Sequence, residues 1–180
     1  EVARLDRVHL GRAAMSARSP ESILLRLPSE QEDEVRAIYR ALNERGFPQQ
    51  HQRPHVSVTF APRMPQRVVE HAAGVLAPLL PAQLDRVGVV VFGTKSKQTV
   101  AWLLEAPEAL DEAARRVSAE NPEGRGARWV PHLTMGLRIP KAMVPDYIAA
   151  LAEVTNPHCK TLTAARAVYY RPLLGEDLEL

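Results

Sequence analysis

Two short stretches of this chain carry the same order of chemistry-bearing residues: Pro54-His55-Val56-Ser57-Val58 and Pro131-His132-Leu133-Thr134-Met135. Each reads proline, histidine, apolar, hydroxyl, apolar. Imidazole titrates near pH 6.5, so in a histidine pair one ring can accept a proton while the other donates one. That suits phosphoryl chemistry. One ring takes a proton from an attacking hydroxyl or water, and the other protonates the departing oxygen. The hydroxyls of Ser57 and Thr134 can donate to the non-bridging phosphate oxygens, where charge accumulates. Acid, base and oxyanion donors are then all side chains, so this chemistry needs no metal and no other cofactor. One His-x-Ser/Thr tripeptide arises often by chance; two in matched surroundings arise rarely.

Strands must position these groups. Alternate side chains of a strand point the same way. His55 and Ser57 therefore share one face, as do His132 and Thr134. Val56, Val58 and Phe60, and Leu133, Met135, Leu137 and Ile139, form the apolar row opposite. An apolar run precedes each copy (residues 23–27 and 100–104), with a helical pattern between. After each copy come another amphipathic helix and a β-rich run (87–92 and 165–170). The order β-α-β-α-β thus occurs twice, at an offset of roughly 80 residues. It is a duplication, because arrays need about three repeats of roughly 20–50 residues. Both histidine strands are expected at the centres of their sheets, facing one cleft.

Local signals fill in the rest. Ser29-Glu30-Gln31-Glu32 reads as a capping box. Val35, Ile38, Tyr39 and Leu42 then stripe a helix that Gly46 ends. A second helix spans 65–79, a third carries Leu110, Ala113, Ala114 and Val117, and a fourth carries Val144, Tyr147, Ile148 and Leu151. Residues 84–92 and 99–104 read as a hairpin, and 162–170 with 178–180 as a last one. No linker interrupts residues 21–180, which read as one bilobal domain with halves at about 22–98 and 99–180. Residues 1–20 read as an arm outside the repeat.

The paired motifs resemble those of the 2H phosphoesterases, His-apolar-Thr/Ser-apolar twice, over about residues 22–180. The LigT-like branch, the 2′–5′ RNA ligases and RNA 2′,3′-cyclic phosphodiesterases, fits best. The resemblance implies a bilobal α+β fold with two antiparallel sheets flanking a central cleft and helices outside. It implies metal-independent hydrolysis of 2′,3′-cyclic phosphate ends of RNA or small cyclic nucleotides to a 2′-phosphate. By the same resemblance His55 is the acid that protonates the leaving 3′-oxygen and His132 the base that activates water. Ser57 stands where threonine is commoner. Ligation, 2′–5′ oligonucleotide cleavage and a non-catalytic RNA- or nucleotide-binding module are the alternatives; retention of both histidines and both hydroxyls favours the enzyme.

Weaker candidates surround the pair. Arg138 has the parity of His132 and Thr134, which makes it a phosphate ligand or a solvated strand-end arginine. Gly136 would let a ligand approach the backbone. Lys95 and Lys97, in a hairpin loop, either contact an RNA backbone or form a plain charged loop. Of Tyr169 and Tyr170 one can stack on a base and the other is core; Tyr169 is the candidate. Trp129 and Phe47 read as packing. His51 and His55 do not make a helical zinc site, because Pro54 interrupts the spacing and no further ligands follow. His9, His71 and His158 read as surface.

Composition bounds the rest. The chain has 180 residues, 46% apolar and 24% charged, with a net charge of +2, too small to argue for nucleic acid by itself. One cysteine, Cys159, excludes an intrachain disulfide. No apolar run approaches the roughly 18 residues of a membrane span, and no secretory signal is visible. The expectation is a cytoplasmic monomer, with RNA or a small cyclic nucleotide as its partner.

Overall fold

The structure, a computed structural model, describes residues 20–180, so most of the arm expected at 1–20 lies outside the described residues. The fold is mixed α+β. Among the described residues, eight strands form two antiparallel sheets: β1 (Glu21–Arg26), β2 (Val56–Ala61), β7 (Arg166–Arg171) and β8 (Glu176–Glu179) in one, β3 (Ala82–Phe92), β4 (Lys97–Glu105), β5 (His132–Pro140) and β6 (Thr161–Ala164) in the other. The α-helices of the described residues connect them: α1 (Ser29–Glu44), α2 (Gln66–Val75), α3 (Glu108–Glu120) and α4 (Val144–Val154). Among the described residues, no helix is long and apolar enough to cross a membrane.

The strand orders are β2-β1-β7-β8 and β5-β4-β3-β6. Both sheets mix the halves of the sequence: β7 and β8 of the second half extend β2-β1 through the β1–β7 pair, and β3 of the first half joins β4, β5 and β6 through the β3–β4 pair. The lobes are therefore not the sequence halves. The helices pair across the halves in the same way, α1 with α4 and α2 with α3. This exchange also puts the histidine strands elsewhere than expected. The third strand takes the inner flank of each sheet, so β2 and β5 are edge strands, and their free edges pack on each other.

Alternation builds the core. Ile23 and Leu25 of β1, Val56 and Val58 of β2, and Val100, Trp102 and Leu104 of β4 join one apolar cluster with the stripes Val35/Ile38/Leu42 and Leu110/Ala114/Val117. A fully buried side chain of this kind contributes roughly 1.5–3 kcal/mol. The opposite face of β1 carries Ser22, Leu24 and Arg26, which line a cavity.

Two bulges interrupt the alternation. Ile23 pairs with Thr59 and Leu24 with Ser57, so Val58 is an extra residue in β2. Beyond it the parity inverts: Thr59 and Ala61 are buried and Phe60 is 54% exposed, not in the core. In β5, Ala101 pairs with Thr134 but Val100 with Gly136, so Met135 is extra, and the register shifts again before Ile139. Leu137 is consequently exposed, and Arg138 takes a left-handed φ of 58°.

Other local expectations also change. The capping box does not form: Pro28 is the N-cap, no side chain caps α1, and Glu32 turns elsewhere. Gly46, at φ 92°, does end α1, with Phe47 N–H donating to the Leu42 carbonyl and Gly46 N–H to Asn43. The strand expected at 162–170 splits at Ala165, because 161–164 pair with β3 in one sheet and 166–171 with β1 in the other. Gly136 accommodates a ring rather than a ligand: a Cβ there would lie 2.5 Å from Tyr147 Cε1. Gly136→Ala should therefore cost about 1–3 kcal/mol by overpacking, read as a lower urea midpoint with unchanged slope. A midpoint equal to that of the parent protein would refute this packing.

Candidate active site

Both histidines are latched in the same way. His55 Nδ1 lies 2.7 Å from the carbonyl oxygen of Arg53, and His132 Nδ1 lies 2.7 Å from that of Val130. A carbonyl only accepts, so in each ring Nδ1 carries the proton and Nε2 is left to exchange protons with a ligand. The intervening prolines, Pro54 and Pro131, explain why the motif repeats with proline. Proline fixes its own φ and drives the preceding residue to extended backbone, which presents that residue's carbonyl to the imidazole two positions on.

The two edges are bridged by side chains. From the first half, Tyr39 O–H donates to the Thr134 carbonyl at 2.8 Å, and the Gln50 amide bonds both N–H and C=O of Leu137, at 2.6 and 3.3 Å. From the second half, Trp129 Nε1–H donates to the Ser57 carbonyl at 2.8 Å. Asn121 Nδ2, buried, donates to Thr59 Oγ1 and the Phe60 carbonyl, both at 2.9 Å. Burial pushes the Tyr39 phenol up to about 12, so it stays a donor at any working pH. Tyr147 O–H donates to the Met135 carbonyl.

Two cavities flank the junction. One of about 1070 Å³ holds His55 with Arg26, Tyr170, Asp177, His51 and, from the other sheet, Leu137. The other, of about 180 Å³, holds His132 together with Ser57 of the opposite strand. Each histidine thus meets residues of the other lobe. The charge of His132 reaches His55, where it disfavours a second positive charge.

His55 is also tied to a charge network that sequence reasoning missed. Arg53 Nε lies 3.1 Å from both oxygens of Glu32, which is buried, and Arg53 Nη1 lies 3.1 Å from Asp177 Oδ2. Buried Arg26 grips Asp177 with two bonds, 2.9 and 2.7 Å, and lies over the Tyr170 ring at 5.5 Å. The same residue, Arg53, holds His55 through its backbone and the network through its guanidinium. Desolvation would raise the Asp177 carboxyl, but the bond from Arg26 and the charges of Arg26, Arg53 and Arg166 outweigh it and hold the pKa below the usual range. The only hint in the sequence was Glu32, whose spacing from Ser29 read as a cap.

The other candidates fall in several places. Tyr169 is core, its hydroxyl turned to Glu21, and Tyr170 lines the His55 cavity instead. The bulge puts Leu137 rather than Arg138 on the cavity wall. Lys95 is exposed in the β3–β4 turn and Lys97 is exposed at the start of β4; neither lines the histidine cavities. Trp129 packs partly on the core and also borders the His132 cavity, while Phe47 packs edge-on against Tyr147 at 5.2 Å. His71, half-buried, sits 3.4 Å from Glu120. Phe92, unremarked in the sequence, packs on the His132 ring with centroids 4.6 Å apart. Among the described residues no three histidine, cysteine or acidic side chains gather as a metal site.

The profile of the 2′–5′ RNA ligase superfamily matches residues 27–171. The chain belongs to that superfamily. It is a superfamily of phosphoesterases and ligases that act on RNA. Two solved structures of Usb1 from Kluyveromyces marxianus, one with uridine monophosphate, resemble this chain in fold. They are 13% and 12% identical, with TM-scores of 0.46 and 0.47, and the alignments cover 91% of this chain and 99% of theirs. Comparison with curated proteins finds no match.

The electrostatics give a direct test. Desolvation, then the Arg26 and His132 charges, lower the His55 pKa, against the Arg53 carbonyl and the Asp177 carboxylate, which raise it. The His55 ring should titrate below 6.5, the unperturbed imidazole value, when followed by NMR. Asp177→Asn removes the one carboxylate that favours the imidazolium and should lower the midpoint further. A midpoint above 6.5, or a rise in the variant, would contradict this electrostatic account.

Proposed function

We propose that this protein hydrolyses 2′,3′-cyclic phosphate ends of RNA or nucleotides to a 2′-phosphate by proton transfer between His55, His132 and substrate. The observation that supports this reading is the double latch. Two rings with Nδ1 protonated by identical backbone contacts leave two Nε2 atoms free at one junction. A binding module needs no such matched pair, whereas in-line displacement at phosphorus needs a group on each side. The family is one of phosphoesterases and ligases acting on RNA, which fits the same reading.

The division of labour follows the surroundings of His55. His55, held neutral at pH 7 by desolvation and neighbouring positive charge, is the acceptor that takes a proton from the attacking water. His132 then donates to the leaving 3′-oxygen. This reverses the roles that the family resemblance implies. Water adds to phosphorus as the P–O3′ bond breaks; the proton lost to His55 and the proton given by His132 balance. Ser57 and Thr134 hydroxyls stabilise the charge on the non-bridging oxygens.

His55→Ala and His132→Ala should each lower kcat on a cyclic-phosphate-ended RNA by at least about a hundredfold, while His71→Ala leaves it unchanged. Near-normal turnover by folded His55→Ala would replace this reading with a nucleotide-binding one. The kcat/KM profile should be bell-shaped, its acid limb lying below pH 6.5 because the acceptor is His55. Activity should persist in EDTA; loss restored by zinc or magnesium would contradict an all-side-chain mechanism.

A further inference from the structure

The outer edge of β3 is only partly used. β6 pairs with Ala82–Asp85, and the Arg86 N–H donates to the Lys160 carbonyl at 2.8 Å. Beyond that point β3 continues to Phe92 with β4 on one side and, among the described residues, no strand on the other. Val87 is an extra residue at the point where β6 ends, since Arg86 pairs with Leu104 and Gly88 with Leu103. Residues 87–94, Val-Gly-Val-Val-Val-Phe-Gly-Thr, carry no charge. Val87, Val89 and Val91 are 48, 43 and 38% exposed. An unpaired edge rich in β-branched residues, without Lys, Glu or Pro, lacks the devices that keep sheet edges apart.

The pattern along this edge is complementary to itself. Val89 and Val91 lie opposite Trp102 and Val100 of β4 and so share one face of the sheet. Gly88, Val90 and Phe92 lie opposite Leu103, Ala101 and Thr99 and share the other. Asp85 stands just before the run and Lys95 just after it. Both are exposed, and among the described residues neither has an opposite charge within ion-pair distance. A Cβ added at Gly88 would meet nothing within 4 Å, so the face above it is open.

We infer that this edge joins two copies of the chain, which pair antiparallel along residues 87–93 with Val90 opposite its own counterpart, in place of the monomer expected from the sequence. In that register Val89 meets the partner's Val91, and each Asp85 stands level with the partner's Lys95. The bulk of the partner's Phe92 falls against Gly88, which has no side chain to clash. A shift of two residues either way takes the partner's Phe92 off Gly88. The run also fits the space, because the partner's chain turns away at its Gly93 before it reaches β6. An unrelated strand would have no reason to match charge, size and apolar face together. Each Phe92 packs on its own His132, so the contact borders the site but uses none of the groups that move protons. The pairing does not depend on the proposed hydrolysis.

The experiment is sedimentation equilibrium of the full chain. A reversible dimer should appear in the micromolar range, as one short strand pair implies. Val89→Lys, which puts a charge on the exposed edge, should abolish it. Lys95→Asp sets carboxylate against carboxylate at both ends of the contact and should weaken the dimer by about tenfold. Combining it with Asp85→Lys exchanges the two charges and should restore the parent affinity. Both charged positions are exposed, so the exchange tests the contact without touching the core. A chain that stays monomeric at roughly 1 mM would overturn the inference. So would a dimer that tolerates Val89→Lys, or a loss in Lys95→Asp that the exchange does not repair.

Discussion

Everything at this site depends on two sheet edges held together without a backbone ladder. β2 and β5 are the free edges of separate sheets, and an unpaired edge is normally an invitation to aggregation. Here the unpaired groups are taken up by side chains from the opposite half. Tyr39 and Gln50 serve β5, and Trp129 and Asn121 serve β2. A ladder at about 4.8 Å spacing would close the space between the strands. Side-chain bridges hold the two edges together in place of a ladder.

The repeat in sequence becomes a repeat in space only because the third strands are exchanged. β7 completes the first sheet and β3 the second, so neither half can bury its own sheet alone. The symmetry ends at the residue two positions before each histidine. Arg53 ties the His55 latch to Glu32 and Asp177, while the corresponding Val130 is an exposed apolar residue. One histidine is thereby embedded among charges, and the other faces an aromatic cavity. Two strands with the same motif thereby place their imidazoles in different surroundings.

Much of this was legible in the sequence, for definite reasons. The four helices follow from stripes at i, i+3 and i+4, and the histidine strands from alternation around Pro54-His55 and Pro131-His132. What was not legible came from long-range geometry. A bulge is invisible to alternation, so Phe60 and Leu137 were assigned to the core and Arg138 to the face of the histidines. Edge and centre depend on which strand a distant segment joins. Gly136 read as an opening for a ligand because nothing local shows the Tyr147 ring behind it. Glu32 satisfied a local rule for a cap, but a partner twenty-one residues away, Arg53, competes successfully for its carboxylate. Tyr169 and Tyr170 are indistinguishable until β7 is assigned its neighbours.

The central claim is that one phosphate is held between the Nε2 atoms of His55 and His132. The most direct measurement is ¹⁵N NMR of the imidazoles during titration with a nucleoside 2′-monophosphate, the form of product the proposed reaction leaves. The account predicts that Nε2 of both rings shifts along one saturation curve with a single dissociation constant, while both Nδ1 atoms remain protonated. A ligand that moves only one of the two rings, or that moves them with different dissociation constants, would contradict it.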